Sequence, residues 1–166
     1  GERRISRVVR EKAADLAKGI YTLEDKMTIA REIYEYVRSL PFKEKVRDIH
    51  ERMNPADVIE KGEAIKCACK SWTFNLLCRA LGIPAREQCG IFYTKEELKD
   101  YARNGKMRGM LRYHGFNVFF VNGWHFADPT LGGFVDTFRH SQYYRWVIST
   151  KGLIHEFKLA TSSESK

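Results

Sequence analysis

The sequence predicts an α+β fold, with helices gathered in its first half and an antiparallel sheet built mostly from its second. Three observations carry that expectation. Residues 4–40 hold two apolar stripes at helical spacing, residues 67–81 are apolar nearly all round, and residues 86–128 break into short strand-like runs separated by turn residues. A chain of 166 residues, 43% hydrophobic and 13% aromatic, is long and apolar enough for one domain with a real core. The expected division of that single domain is a helical lead-in over 1–66, a core over 67–131, C-terminal strands over 132–159 and a fraying tail over 160–166.

The elements follow in order. Residues 4 to 18 place Ile5, Val8, Val9, Ala13, Leu16 and Ala17 on one stripe with arginines and lysines opposite, which predicts an amphipathic outer helix. After Gly19, Thr22 followed by Asp25 reads as a capping box, and Ile29, Ala30, Ile33, Val37 and Leu40 form a second stripe that stops before Pro41. Residues 42 to 66 are charged and irregular, with a short helical turn expected from Pro55 to Lys61. Cys67 to Leu81 is interrupted only by Lys70, Ser71, Thr73, Asn75 and Arg79, the pattern of a helix buried mid-domain. Gly82 stands where a left-handed C-terminal residue belongs, and Pro84 forbids continuation.

Arg86 to Tyr93 then reads as a strand. Lys95 to Arg103 is a short charged helix, followed by a loop with Gly105 and Gly109 that suits either a lid or a plain surface insertion. Tyr113 to Val121 is the strongest strand in the chain, Asn122-Gly123 a turn, and Trp124 to Asp128 the returning strand. Tyr143 to Ser149 and Leu153 to Leu159 predict a final hairpin.

Cys67 opens the buried helix. There the helix dipole and free backbone N–H groups lower a thiol pKa and hold a developing oxyanion, so Cys67 is a candidate nucleophile. Cysteine is also among the most buried residue types, and simple packing is the competing reading. His114, in YHGFNVFFVNGWHFADPT, and Asp128 fourteen residues later favour chemistry, because a base and an orienting carboxylate follow the thiol in the order Cys, His, Asp.

Together these blocks resemble the transglutaminase-like superfamily. The resemblance rests on Cys67 followed twelve residues on by Arg79 opening RALGIPAR, on His114 opening an aromatic-rich strand, and on Trp124 shortly before Asp128, Pro129 and Thr130. It extends over about residues 25 to 131. The chain departs from the family pattern at Ile65, where a glycine usually precedes the nucleophile by two, and at Gly115, Phe116, Asn117 and Val118 in the His strand. Those departures bear on the shape of the oxyanion site and groove; no member of the Cys-His-Asp set is lost.

The resemblance implies a papain-like core in which the helix bearing the thiol packs on the sheet bearing the imidazole. It also implies acyl transfer through a thioester, with Cys67 attacking an amide carbonyl, His114 protonating the leaving amine and Asp128 fixing the imidazole tautomer. With water as acceptor this is a cysteine peptidase or amidase, and with a primary amine a transglutaminase. A small domain without the extra domains of the crosslinking enzymes favours hydrolysis. A catalytically idle binding module is the alternative from a different class.

Supporting residues carry two readings each. Trp124 packs the sheet or walls the site, and Trp72 is core or shields the thiolate. Asn117 donates to the oxyanion or to Asp128, or is a plain polar strand residue. Cys69 is the rival nucleophile but lacks the spacing to Arg79.

The net charge of +8 invites an anionic partner, and an acidic peptide or protein substrate stays open. Basic residues gather from Arg3 to Lys12 and from Lys95 to Arg112 but are interleaved with acids and lack a nucleic-acid motif, so a solvated basic face is preferred to a nucleic-acid site. Cys67 and Cys69 cannot face each other on one helix, and their C-x-C spacing lacks a second ligand pair, with His125 and His140 the nearest other ligand types. Neither a metal nor another cofactor is expected, and reduced thiols with no signal peptide or apolar span point to the cytoplasm.

One expectation follows from counting. A two-residue turn at Asn122-Gly123 would pair Val121 with Trp124 and send His114 and Asp128 to opposite faces. A working His–Asp pair therefore predicts either a three-residue connection, Val121-Asn122-Gly123, with Gly123 left-handed and Phe120 opposite Trp124, or a bulge elsewhere in this hairpin, with His114, Phe116, Trp124 and Asp128 on one face.

Overall fold

The computed structural model describes residues 4–20, 25–43, 51–92, 103–104 and 112–135. Ser6 opens α1 (Arg7–Leu16), its hydroxyl accepting from the Val9 N–H at 3.4 Å, and the helix buries Val9 and Ala13. The second helix, α2 (Lys26–Ser39), buries Ile29, Ala30, Ile33, Tyr34 and Val37, the stripe read from the sequence. Its N-cap is Asp25, with no side-chain cap hydrogen bond, so the helix starts later than a Thr22 cap would have it; Thr22 lies outside the described residues. The third helix, α3 (Pro55–Lys61), occupies the expected span. Asn54 accepts from the Asp57 N–H at 3.0 Å, Pro55 takes the first position where no N–H is needed, and Gly62 closes the helix with φ 65°.

The central helix α4 (Cys67–Ala80) packs against α1, α2 and α3 on one side and the sheet on the other, which is why it has no continuous polar face. Phe74, Leu77 and Cys78 are fully buried in the main core with Ile33, Val37, Ile83 and Phe119. Gly82 adopts φ 74°, and the Ile83 N–H returns to the Cys78 carbonyl at 3.0 Å, ending the helix as a glycine-terminated turn should. Arg79, in the last turn, donates from Nε to the Ala85 carbonyl at 2.8 Å and so ties the helix end to the first strand.

Among the described residues three strands, β1 (Ala85–Phe92), β2 (Arg112–Phe120) and β3 (Trp124–Ala127), form an antiparallel sheet in that order. Strand alternation sends Gly115, Asn117 and Phe119 of β2 toward α4. Asn117 Nδ2 donates to the Ser71 carbonyl at 2.8 Å, and the Phe119 ring packs edge-on to Phe74. On the opposite face Phe116 stacks on Phe126 at 5.0 Å. The architecture is α+β, as the patterning predicts. Beyond residues 103–104, which are helical, the expected Lys95–Arg103 helix and its following loop lie outside the described residues, as do the final hairpin and the tail. No helix among the described residues is long and apolar enough to cross a membrane.

Candidate active site

The hairpin decides whether His114 and Asp128 can meet. Its register pairs Phe120 with Trp124, Val118 with Phe126 and Asn117 with Ala127, leaving Val121, Asn122 and Gly123 as a three-residue loop closed by the Val121 N–H on the Gly123 carbonyl at 3.0 Å. Even-numbered residues of the two strands therefore share a face. The left-handed conformation is shared differently from the expectation: Asn122 has φ 53° and Gly123 φ 137°, because asparagine tolerates the left-handed region nearly as glycine does. Continued one step, this register sets Phe116 opposite Asp128 and His114 on its diagonal. The His114 Nε2 and the Asp128 Oδ2 are 2.7 Å apart, with both side chains buried.

Asp128 is wholly buried, and a carboxylate there requires several donors. Its Oδ1 accepts from the N–H groups of Thr130 and Leu131, each at 2.9 Å, in a turn its own side chain organises. The Asp128 N–H donates to the Gly133 carbonyl and the Gly132 N–H to the Asp128 carbonyl, both at 2.9 Å. The Tyr34 hydroxyl on α2 holds this loop by accepting from the Gly133 N–H at 3.0 Å and from Arg38 Nη1 at 2.8 Å. Gly132 lies against that guanidinium with φ 95°, where a Cβ would collide with Arg38. Gly132→Ala is therefore expected to cost about 1–2 kcal/mol through backbone strain and displacement of Arg38. Urea unfolding should show a lowered midpoint at unchanged slope; an unshifted midpoint would show that the loop yields freely.

Cys67 is the first residue of α4, half-buried, with Lys66 as an N-cap that supplies no side-chain cap bond, so the helix N-terminus is left to the sulfur. Burial pushes the Cys67 thiol up, but the hydrogen bond with His114, the Gly115 N–H, the imidazolium charge and the Ala68 N–H together outweigh it and hold the thiol below its ordinary value. Burial likewise lowers His114, yet its hydrogen bonds to Asp128 and Cys67 and their negative charges raise it to about 9. With Nε2 committed to Asp128, Nδ1 is the ring nitrogen left for the thiol. Each shift favours the charged form of the other group, so the thiol and the imidazole titrate jointly.

The sequence profile of the transglutaminase-like superfamily matches residues 14–148. The chain belongs to that superfamily. The α+β core described above is the part of the chain that the transglutaminase-like match spans. A crystal structure of a candidate cysteine protease from Cytophaga hutchinsonii is similar, with 19% sequence identity and a TM-score of 0.48 over 81% of this chain and 44% of that one. The chain spans less than half the length of that protein. No curated protein matches it.

In this transglutaminase-like domain the remaining predicted residues are placed as follows. Asn117 does not reach the thiol or Asp128, because its amide is spent on the Ser71 carbonyl and clamps β2 to α4. Trp124 is 53% exposed, lies under the Arg86 guanidinium at 4.8 Å and meets the edge of Phe120, and among the described residues it has no contact with Cys67, His114 or Asp128. It stands four residue steps along the strand from Asp128, about 13 Å. Trp72 is half-buried and lines a cleft along α4. Cys69 is buried with Leu40, Met53, Val58, Ala64 and Ile65, the packing role, and burial pushes the Cys78 thiol up. His125 Nε2 meets the Val121 carbonyl at 2.8 Å, His140 lies outside the described residues, and no group of three metal-type ligands converges among the described ones.

Three features escaped the sequence reading. Two are the particular backbone donors at the sulfur: the Ala68 N–H, one of the helix-end groups expected there without being named, and the Gly115 N–H from the strand, which no side chain announces. The absence of a side chain at Gly115 lets α4 approach: a Cβ there would stand 3.5 Å from Ser71 Oγ and 3.6 Å from the Ala68 Cα. The third is Lys70, 3% exposed, whose Nζ donates to the Arg38 carbonyl at 3.1 Å and lies 4.4 Å above the Phe42 ring. Burial and the charge of Arg38 lower its pKa while Asp128 raises it, so the ammonium is near enough to feel the carboxylate. Its spacing of three from Cys67, on the same helical face, was the available signal.

Proposed function

We infer that this domain is a cysteine hydrolase acting on amide bonds through a thioester, with Cys67 as nucleophile, His114 as acid and base, and Asp128 as the group that holds the imidazole. The observation that carries this reading is the buried contact of His114 Nε2 with Asp128 Oδ2 at 2.7 Å while the other face of the ring meets the Cys67 thiol. The Cys67 thiolate attacks the carbonyl carbon, and the C–O electrons move to oxygen near the α4 N-terminus, where backbone N–H groups and the helix dipole favour negative charge. Collapse of the tetrahedral species breaks the C–N bond as His114 gives its Nδ1 proton to the leaving amine. Neutral His114 then takes a proton from water, whose oxygen attacks the thioester, and release of the acid restores thiolate and imidazolium. Cys67 is half-buried, which leaves water a path to the thioester.

The test is mass spectrometry of peptide pools containing glutamine and primary amines after incubation with the protein. Gain of a water with two new termini, or replacement of an amide nitrogen by oxygen, supports hydrolysis. Loss of ammonia with joined peptides replaces water by an amine acceptor. Unchanged pools under reducing conditions sink both.

A pH profile tests the ion pair. The acid limb marks protonation of a thiolate whose pKa is depressed, so it should lie below the ordinary thiol range; the alkaline limb marks loss of the imidazolium proton near 9. A single rising limb at the ordinary thiol pKa, with no fall above it, contradicts the pairing.

A further inference from the structure

A large cleft runs along α4 from Trp72 to Ala80, bounded by the start of α1 and by the turn into β1, with a volume of about 1430 Å³. That exceeds the roughly 300–1,000 Å³ typical of small-molecule pockets and suits a length of polymer. Among the described residues Arg4, Arg10, Arg52 and Arg79 contribute to its lining, against one carboxylate, Glu87. No lysine is among the described lining residues, and arginine's planar fork matches carboxylates in paired hydrogen bonds.

A second observation bears on what enters. Asn75, on the cleft wall, is 7% exposed, and its Oδ1 has no hydrogen-bond partner among the described residues. A buried acceptor left open asks for a donor, and a peptide backbone carries one N–H per residue whereas a phosphodiester carries acceptors only. One lining residue, Glu87, approaches the strand that meets the thiol. Glu87 Oε1 stands 3.5 Å from where a Cβ on Gly115 would be, and the Gly115 N–H is a donor to the Cys67 sulfur.

We propose that this cleft binds an acidic peptide segment of the substrate, its carboxylates on the arginines and its backbone against Asn75. Only the statement that this segment belongs to the substrate rests on the acyl-transfer reading. Arg79 lies about 18 Å along the helix from Cys67, so an extended chain places its acidic residues roughly five positions from the amide under attack. Glu87, near the thiol, disfavours an acidic residue next to that amide.

The full chain carrying Cys67→Ala, which cannot react, is titrated with a fluorescein-labelled peptide containing a run of glutamates, and with matched glutamine and lysine peptides, by fluorescence anisotropy. The glutamate peptide should bind, more weakly as salt rises, and the other two should not. Arg10→Gln and Arg52→Gln, both at exposed residues, should each weaken binding by about three- to tenfold, while Lys61→Gln on the exposed end of α3 leaves it unchanged. Equal binding of the glutamate and glutamine peptides overturns the proposal, as do arginine variants that bind like the parent. A single-stranded oligonucleotide of equal charge that displaces the peptide and binds more tightly also overturns it, in favour of a nucleic-acid ligand. Binding as expected, with no cleavage or transfer by the protein retaining Cys67, upholds the cleft and sinks the acyl-transfer reading instead.

Discussion

Cys67→Ala is expected to lower turnover by roughly 10⁵-fold or more, since loss of a covalent nucleophile removes the pathway and leaves only binding and residual electrostatics. The melting temperature should move by no more than a few degrees, because the side chain is half-buried and loses a single atom. Cys69→Ala should behave in the opposite way. Its thiol packs against Leu40, Met53, Val58, Ala64 and Ile65, so the variant loses stability and keeps activity. Iodoacetamide labelling below neutral pH reads the same distinction without a substrate: the parent and Cys69→Ala label quickly, and Cys67→Ala does not. A dead Cys69 variant beside an active Cys67 variant would move the nucleophile by two residues and undo the site.

Asp128→Asn should reduce kcat/KM by about 10³- to 10⁴-fold, roughly 4–5.5 kcal/mol of transition-state stabilisation. The amide oxygen can keep the bonds from the Thr130 and Leu131 N–H groups, so the loop survives. Its nitrogen then faces His114 Nε2 as a donor, which forces the lone pair to that side and the proton to Nδ1. The imidazolium loses its counter-charge, its pKa falls from about 9, and the thiol returns toward the ordinary range. The alkaline limb of the profile should therefore move to lower pH, and labelling of Cys67 below neutrality should slow. Asp128→Ala adds a structural cost, since it leaves two N–H groups and a buried imidazole without their acceptor, about 3 kcal/mol or more. A full-rate Asp128→Asn enzyme would remove the carboxylate from the mechanism.

Much of the fold obeys near-neighbour rules, and there the amino-acid order was enough. Pro55 and Gly62 bound α3, Gly82 and Pro84 end α4, and the apolar stripe of α2 is the buried face, because capping, left-handed turns and periodicity act over one or two helical turns. The α2 start was less legible, since Thr22 and Asp25 both suit a cap. Hairpin register also yielded to counting once His114 and Asp128 were required to meet, although local composition alone favoured the tighter turn.

What the sequence by itself determined is thus the order of helices and strands, the helix-end position of Cys67 and the parity that sets His114 diagonal to Asp128. Only the tertiary structure decided which atoms close on the sulfur. Backbone N–H groups of Gly115 and Ala68 are the same in any sequence until a strand and a helix end are brought together. Asn117 has the chemistry of an oxyanion donor, but the Ser71 carbonyl reaches it first, and Trp124 turns outward beneath Arg86. Lys70 reads as a polar break in a helix until α2 and Phe42 bury it beside Asp128. The physical reason is shared: which groups meet across elements far apart in the chain depends on what packing brings together, and those distances are a property of the assembled core.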